Sequence, residues 1–511
     1  MGFFASIMKF IMIVLVAILT VFIVLGAILI IFPTVNIFGL HYISSDYNSF
    51  EGEVLRTSEN STLWDDADIV RIETKGYDVT VRTKDDELLG NGEFVTIVNS
   101  SYKGFVWGTV SQPTYSSSIT SGEYIVENGK NIFYIEIAEP DGWIMRAETT
   151  LTVIVSSDAF TSKDLEIIDN SGSVTIGGNV ADVSEQIRTQ NLDITSTSGM
   201  VNLGNVTVSD TLTIDKQSGD VSSRVNLNAN ININITGGYG IITLKDVGVS
   251  GGDVKMLSIN SSNTHTTVQD VYGDFNFVAA GGLLEIGNIT GFVDLDVSSC
   301  DCSLGTVGNG FNVEGGDGYL EVEKVVGAVT IIMNDGSTTI AETDSTVNWE
   351  SQKGSLTLGK AQDDITAQTV YGNINIICDD VDAFNITIND KHGDTTFTGV
   401  KGIVDINTST TIDNMGTGNI TGTFAEVNGE SRIIAYVGNI NVTVPQTDWL
   451  LKWASSSADI QIGALISSET SSNGNWINVL TNISTNIPDN ENRIYLSGNS
   501  GLITVNATAV A

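Results

Sequence analysis

Proline, cysteine, histidine and basic residues are all scarce in this chain of 511 residues: 5 Pro, 3 Cys, 3 His, and 23 Lys+Arg against 61 Asp+Glu. Three cysteines in so long a chain exclude a disulfide-stapled scaffold. A formal net charge of −38 repels polynucleotides and anionic headgroups, which argues against any nucleic-acid partner. With only His41, His265 and His392 to draw on, no Ser-His-Asp spacing or Gly-x-Ser-x-Gly elbow stands out. No proline occurs between Pro140 and Pro445, as expected where nearly every backbone N–H joins a ladder. What the chain does have is 41% hydrophobic residues, 16% charged residues and 52 Gly, enough apolar surface to exclude wholesale disorder.

Residues Phe10 to Phe32 form an apolar run softened only by Thr20 and Gly26. As a helix it would measure about 34 Å, enough to cross a hydrocarbon core. The run passes directly into Pro33-Thr34-Val35-Asn36 with no polar, small-residue cleavage site, so residues 1–33 are expected to be an uncleaved signal anchor. Lys9 precedes the span, and Asp46, Glu51 and Glu53 follow it before Arg56. The positive-inside rule then places the N-terminus in the cytoplasm and the rest of the chain outside a plasma membrane.

Beyond a polar-aromatic stalk, 34–50, the texture is all-β. Residues 51–160 alternate with period two, as in Asp68-Ile69-Val70-Arg71-Ile72 and Ile132-Phe133-Tyr134-Ile135-Glu136-Ile137. Asn91-Gly92 and Asn128-Gly129 fall where tight hairpins need positive φ, so this block is expected to be an antiparallel, hairpin-rich cap. From 161 to 445 a phrase recurs: Gly, then Asp, Asn or Ser, then alternating apolar residues. Its glycines are Gly172, Gly199, Gly219, Gly273, Gly318, Gly336, Gly354, Gly372, Gly393 and Gly438. Four of them, Gly318, Gly336, Gly354 and Gly372, keep an interval of 18 residues, and elsewhere the interval stretches. Self-similarity at this period predicts a β-solenoid of 18–21-residue coils, each burying its apolar face against its neighbours. Glycine is expected to supply the turn geometry, with Asp, Asn or Ser bonding the turning backbone. About 15 coils at about 4.8 Å each would stack to about 70 Å. Residues 446–511, with Trp449-Leu450-Leu451-Lys452-Trp453 and a last strand Gly501-Leu502-Ile503-Thr504-Val505, are expected to form closing coils and a cap.

Taken in serial order, these features resemble the putative-adhesin domain family of cell-envelope β-solenoid proteins. They are the opening pair Val70-x-Ile72 and Val79-x-Val81, the strands near Ile135 and Val153, and the serial Ser-Gly-Asp-Val phrases. Val442-Thr443-Val444-Pro445 and Ser500-Gly501-Leu502-Ile503-Thr504-Val505 close the series. The resemblance implies an envelope protein with a role in adhesion or envelope sensing. It supplies no catalytic residues.

Candidate chemistry is sparse. Asp363-Asp364, Asp379-Asp380 and Asp394 with Lys391 are the carboxylates a polysaccharide-processing enzyme on such a scaffold would draw on. Adjacent strand residues point to opposite faces, however, and acidic pairs in a chain of this charge are expected to be solvated turns. His392 is expected to be an exposed turn residue. Cys300-Asp301-Cys302 places two thiols on one strand face, with buried free thiols the expectation and a strained bridge the alternative. No cofactor is expected. Stacked Asp317, Asp335 and Glu314 are where calcium could be taken up, against the simpler expectation of diffuse counterions. The functional expectation is a membrane-anchored, non-enzymatic module with an adhesin-like structural or interaction role, contacting glycans or envelope proteins. A polysaccharide-processing enzyme and an envelope-stress sensor are the alternatives.

Overall fold

The apolar run is helical over Gly2–Ile31. Met8–Ile31 has a mean hydropathy of 3.3 and is 6% buried, so the helix is long and apolar enough to cross a membrane with its side chains facing outward. In this computed structural model, residues 2–32, 35–43, 62–83, 95–102, 104–108, 114–138, 143–144, 147–155, 159–169, 171–178, 186–378, 383–408, 416–445, 449–455, 459–463, 479–480 and 492–508 are described. Apart from the helix they are mostly β, and they fall into two units, Met1–Ala229 and Asn230–Ala511.

In Asn230–Ala511, successive turns of chain pair in parallel. The strands Lys255–Val268, Gly273–Ile286, Val293–Val307, Phe311–Val325 and Val329–Thr343 each align with the next. Because the offset is 18 residues, equivalent positions stack: Leu257, Phe275, Val293, Phe311, Val329, Val347 and Ile365 form one buried column. Ile259, Phe277, Leu295, Val313, Ile331 and Trp349 form a second. Period-two alternation makes this work, since each strand sends every second side chain inward. Burying one such side chain contributes about 1.5–3 kcal/mol. Beyond Ile365 the offset becomes irregular, at 21 residues to Ile386, while the inward pairing Ile365–Ile386 is kept.

The expected cap is only partly antiparallel. Ile69–Thr74 pairs in parallel with both Lys130–Ala138 and Asp164–Asp169. Asp78–Thr83 likewise pairs in parallel with Ala147–Val155 and Val174–Ile176. The first strands of the ladder therefore lie second in space, with the 130–155 coil outside them. Antiparallel pairing is confined to the outer edge, where Val95–Tyr102 covers Ala147–Val155, and Thr114–Ser117 and Ile125–Glu127 cover Lys130–Ala138. Asn128 (φ 53°) and Gly129 (φ 80°) make the tight turn foreseen there. Asn91-Gly92 lies outside the described residues. Nor is the stalk only a tether: Leu40–Ile43 pairs with Gly104–Trp107, which pairs with Trp143–Ile144, in a separate three-stranded sheet.

The far end shows the same exchange of order. The last coil, Arg493–Ser500 and Leu502–Thr508, stacks directly on Glu430–Val437 and Ile440–Pro445. Leu450–Ser455 and Asp459–Ile462 lie outside it, and Val479–Leu480 adds an antiparallel edge. The strand expected to close the chain is thus held on both sides. An open edge would template pairing with other chains.

The phrase glycines owe their identity mainly to lack of space. A Cβ on Gly372 would lie 1.8 Å from the Gly354 carbonyl oxygen, and one on Gly393 1.6 Å from that of Gly372. The same stacking holds for Gly336 on Gly318, Gly354 on Gly336, and, in Met1–Ala229, Gly199 on Gly172 and Gly219 on Gly199. Positive φ, the expected reason, holds at Gly199, Gly219, Gly318 and Gly438 but not at Gly172, Gly336, Gly354, Gly372 or Gly393. Gly273 stacks at a different corner: a Cβ there would lie 1.8 Å from the Lys255 carbonyl oxygen, and Phe275 two residues on enters the column of Leu257. At the corner that Gly318 occupies two coils later, this coil has Gly282, against the Thr264 carbonyl.

Where strand meets turn, inward positions are polar. Asp390, 1% exposed, stacks on Thr369, and its Oδ2 accepts a hydrogen bond from Thr395 Oγ1 at 3.2 Å. Ser351 Oγ likewise accepts from the Gly354 N–H at 2.8 Å. In Met1–Ala229 the equivalent column is Thr74, Asp169, Ser196 and Lys216, and Lys216 Nζ donates to the Gly199 carbonyl at 2.7 Å. Burial pushes the Asp390 carboxyl up to about 7 and the Lys216 ammonium down to about 8.

Gly372→Ala is expected to lower Tm by about 5 °C or more, whereas Gly315→Ala should move it by only about 1 °C, read by circular dichroism on the detergent-solubilised full chain. The control position has room, since a Cβ there comes no nearer than 3.4 Å to another atom. Asp390 tests the polar column. A carboxyl raised in the folded state binds its proton more tightly there than when unfolded. Its contribution is therefore neutral at acid pH and turns against folding as pH rises from about 4 through about 7. Asp390→Asn should raise Tm at about pH 8, with the gain vanishing below about pH 4.

Candidate functional site

Outward positions stack as regularly as inward ones. In Asn230–Ala511, Asn276, Asp294, Asn312, Thr330, Asn348 and Thr366 form one outward file. Asn312 Nδ2 donates to Asp294 Oδ1 at 2.8 Å. At the glycine corner a staircase of side chain to backbone bonds climbs from coil to coil. Ser355 Oγ accepts the Asn373 N–H at 3.0 Å, Asn373 Oδ1 the Asp394 N–H at 3.0 Å, and Asp394 Oδ1 the Asn419 N–H at 2.8 Å. Asn419 and Asn439 continue it to Asn439 and Leu502. The residue after each glycine thus caps a backbone group that the tight corner turns away from the strand ladder. Gly418 and Gly501 belong to this corner as well. Gly418-Asn419-Ile420 carries the same Gly-Asn-apolar signal in sequence, and Gly282, between Gly281 and Leu283, carries none.

These bonds decide what the acidic candidates do. Asp394 accepts both the N–H and, at 3.1 Å, the Nδ2 of Asn419. Asp364 Oδ1 accepts the Asn385 N–H at 2.6 Å, and Asp363 Oδ1 accepts the Asp364 N–H at 2.7 Å. Asp379 and Asp380 lie outside the described residues. The Lys391 carbonyl accepts the Thr417 N–H at 2.9 Å. His392 stacks on Tyr371 with ring centroids 4.9 Å apart, and its Nδ1 lies 3.1 Å from Thr417 Oγ1. Among the placed carboxylates, the structure makes Asp363, Asp364 and Asp394 partners of backbone N–H groups.

The thiols at Cys300, Cys302 and Cys378 are free, and the first two are buried. Burial pushes the Cys378 thiol up to about 12, which leaves it protonated and weakly nucleophilic at neutral pH. Asp317 stacks on Asp335, but Asp335 Oδ2 is held by Lys353 Nζ at 3.1 Å. Glu314 belongs to another file, between Asp296 and Ile332. Among the described residues no group of three or more His, Cys, Asp or Glu is placed to hold a metal ion.

A concave site lies in Met1–Ala229, where the sequence offered no motif. A cleft of about 310 Å³ is lined by Arg71, Glu73, Ser116, Ser121, Glu123, Tyr124, Ile125, Tyr134 and Glu136. Alternation points Arg71 and Glu73 away from buried Val70 and Ile72, and Tyr134 and Glu136 away from Phe133 and Ile135. Parallel pairing then sets Arg71 beside Tyr134 and Glu73 beside Glu136. Arg71 is already occupied. Its Nη1 and Nη2 donate to Glu127 at 3.0 and 2.8 Å, and its Nε donates to Glu166. The Glu127 hydrogen bond holds the guanidinium above its ordinary range, and Arg71 in turn lowers the Glu127 carboxyl. Arg71 is therefore a clamp across three strands, while Glu73, Glu123 and Glu136 leave the cleft rich in acceptors. Like charges side by side on neighbouring strands are unfavourable until a donor-bearing ligand bridges them. Such a site can bind hydroxyl or ammonium groups between two tyrosines. Four strands and turns contribute to it, which is why no local pattern in the sequence announced it.

No family model matches the chain, and no curated protein matches it. Among solved structures it is similar to the crystal structure of a putative cell adhesion protein from Clostridium sporogenes. That likeness has 8% identity over 89% of this chain and 97% of that chain, with a TM-score of 0.12. At that score it carries no argument about fold or function.

Arg71→Ala strips the clamp from Glu127 and Glu166 and is expected to lower Tm by about 2–4 °C. Glu127→Gln, which keeps one acceptor in place, should cost less than half of that shift in the same melts.

Proposed function

We propose that this chain is a membrane-anchored extracytoplasmic β-solenoid, an adhesin-like interaction module of the cell envelope, with its N-terminus in the cytoplasm. The observation that carries the reading is the repeated outward file of Asn, Asp and Thr over a parallel ladder, in a chain that begins with a membrane-length apolar helix. Such files present evenly spaced donors and acceptors about 4.8 Å apart, suited to hydroxyl-rich glycans or the polar surface of an envelope protein. The cleft lined by Tyr124, Tyr134, Glu73 and Glu136 adds a place for one sugar-sized group. The resemblance to adhesin-type envelope domains supports the same reading.

We also read the protein as non-catalytic, without a cofactor. Asp364 and Asp394 bond backbone N–H groups, which is a scaffold role. Protease applied to intact cells should remove the chain beyond about residue 47, and an ectodomain protected until the cells are permeabilised would overturn the topology. On immobilised neutral and amino-substituted polysaccharides the full chain in detergent should bind without turnover. Tyr134→Ala is expected to weaken that binding by about tenfold. Turnover abolished by Asp394→Ala would replace this reading with a polysaccharide-processing enzyme.

A further inference from the structure

The segment that follows the helix does not lead away from it. Helix residues 10–24 are exposed along their length, but Leu25 and Gly26 are half-buried and Leu29 is fully buried. The element beside them is the small sheet: the helix contacts Leu40–Ile43, and the Phe105 ring lies 3.5 Å from where a Cβ on Gly26 would be. Tyr42 packs on Phe105 with ring centroids 5.2 Å apart, so the sheet meets the helix through aromatic rings. Gly26 sits five residues before the helix end at Ile31, about 8 Å down the axis. A sheet seated on that turn lies at the level where acyl chains meet headgroups if the helix spans the bilayer.

Two aromatic side chains among the described residues of this region are well exposed. Trp107 is 57% exposed, and Phe38 is 92% exposed at the tip of a turn closed by paired hydrogen bonds between Ile37 and Leu40. Phe38 also has a φ of 53°, a left-handed conformation that bulky side chains rarely adopt. Gly39 follows at φ 87°, with its N–H bonded to Asn36 Oδ1 at 2.8 Å. The turn therefore holds a strained backbone that thrusts a phenyl ring into its surroundings. In water that arrangement has nothing to recommend it. At a bilayer surface both rings find a place, Phe38 among acyl chains and Trp107 with its ring in the apolar layer and its N–H toward the headgroups.

We infer that the sheet formed by Leu40–Ile43, Gly104–Trp107 and Trp143–Ile144, with the Phe38 turn, is an interfacial platform that rests in the lipid leaflet where the helix emerges. Its partner is the bilayer itself, at the headgroup–acyl boundary. The helix alone would leave the domain free to swing on a tether. The platform adds a second attachment offset from the helix axis and so holds the base of Met1–Ala229 against the membrane. This inference rests on the reading that the helix spans a bilayer.

The full chain reconstituted in phosphatidylcholine nanodiscs tests it. Tryptophan emission is compared between ordinary lipid and lipid brominated near the headgroup end of its acyl chains. The wild type should be quenched by the brominated lipid, and Trp107→Phe should reduce the quenched component by about twofold, while Trp349→Phe, in the buried column, leaves it unchanged. Phe38→Asp, exposed and tolerant of change, should also reduce the quenching with the chain still retained in the disc by its helix. Equal quenching in the wild type, Trp107→Phe and Phe38→Asp, with every variant lipid-bound, would overturn the platform and leave the spanning helix standing. A chain that fails to co-fractionate with lipid would overturn both.

Discussion

A parallel backbone ladder that returns to the same place one coil later governs nearly every side chain of this protein. Once strands align residue for residue at an 18-residue offset, each position must tolerate a near copy of itself about 4.8 Å above and below. Apolar positions satisfy this readily, since Val, Ile, Leu and Phe pack on one another in columns. Several corners satisfy it with glycine, because a methyl group at Gly372 or Gly393 would enter the carbonyl of the preceding corner, while Thr264 and Cys300 stand at the same corner below Gly282 and Gly318. The following residue is drawn from Asn, Asp and Ser because the N–H one coil later needs an acceptor within reach.

The same constraint explains the polar residues inside. A corner turns backbone groups toward the core, where an unmet donor or acceptor costs about 1–3 kcal/mol. Ser351, Asp390 and Lys216 each stand at the last inward position before such a corner and bond nearby polar groups. Their burial is a consequence of closing the coil, and the raised carboxyl of Asp390 is the cost of using an ionisable group there. Both ends of the ladder meet a related demand. Placing the first and last strands second in space gives each a partner on both edges, so neither chain-terminal coil is left as an open edge.

Function then belongs to what the ladder does not consume. Asp364 and Asp394 are consumed by backbone bonds and His392 by its stacking on Tyr371. Among the described residues, the polar files, the acidic cleft around Tyr134 and Glu136, and the aromatic sheet beside the helix remain outward. Each presents groups that the ladder itself leaves without a structural task.

Much of the fold was legible in the sequence. The apolar run, the period-two strands and the 18-residue interval at Gly318, Gly336, Gly354 and Gly372 all follow from local chemistry that repeats, and repetition makes long-range pairing visible locally. The Gly-Asp-apolar phrase at Gly273 serves a second corner of the coil, and the phrase carries no mark of which corner it serves. Ladder order at the two ends, the partners of Arg71 and the contact of Leu40–Ile43 with the helix were decided by tertiary structure alone. Each depends on which segment, far away in the chain, occupies a free edge or face, and a strand's own residues specify its alternation without naming the neighbour on either side.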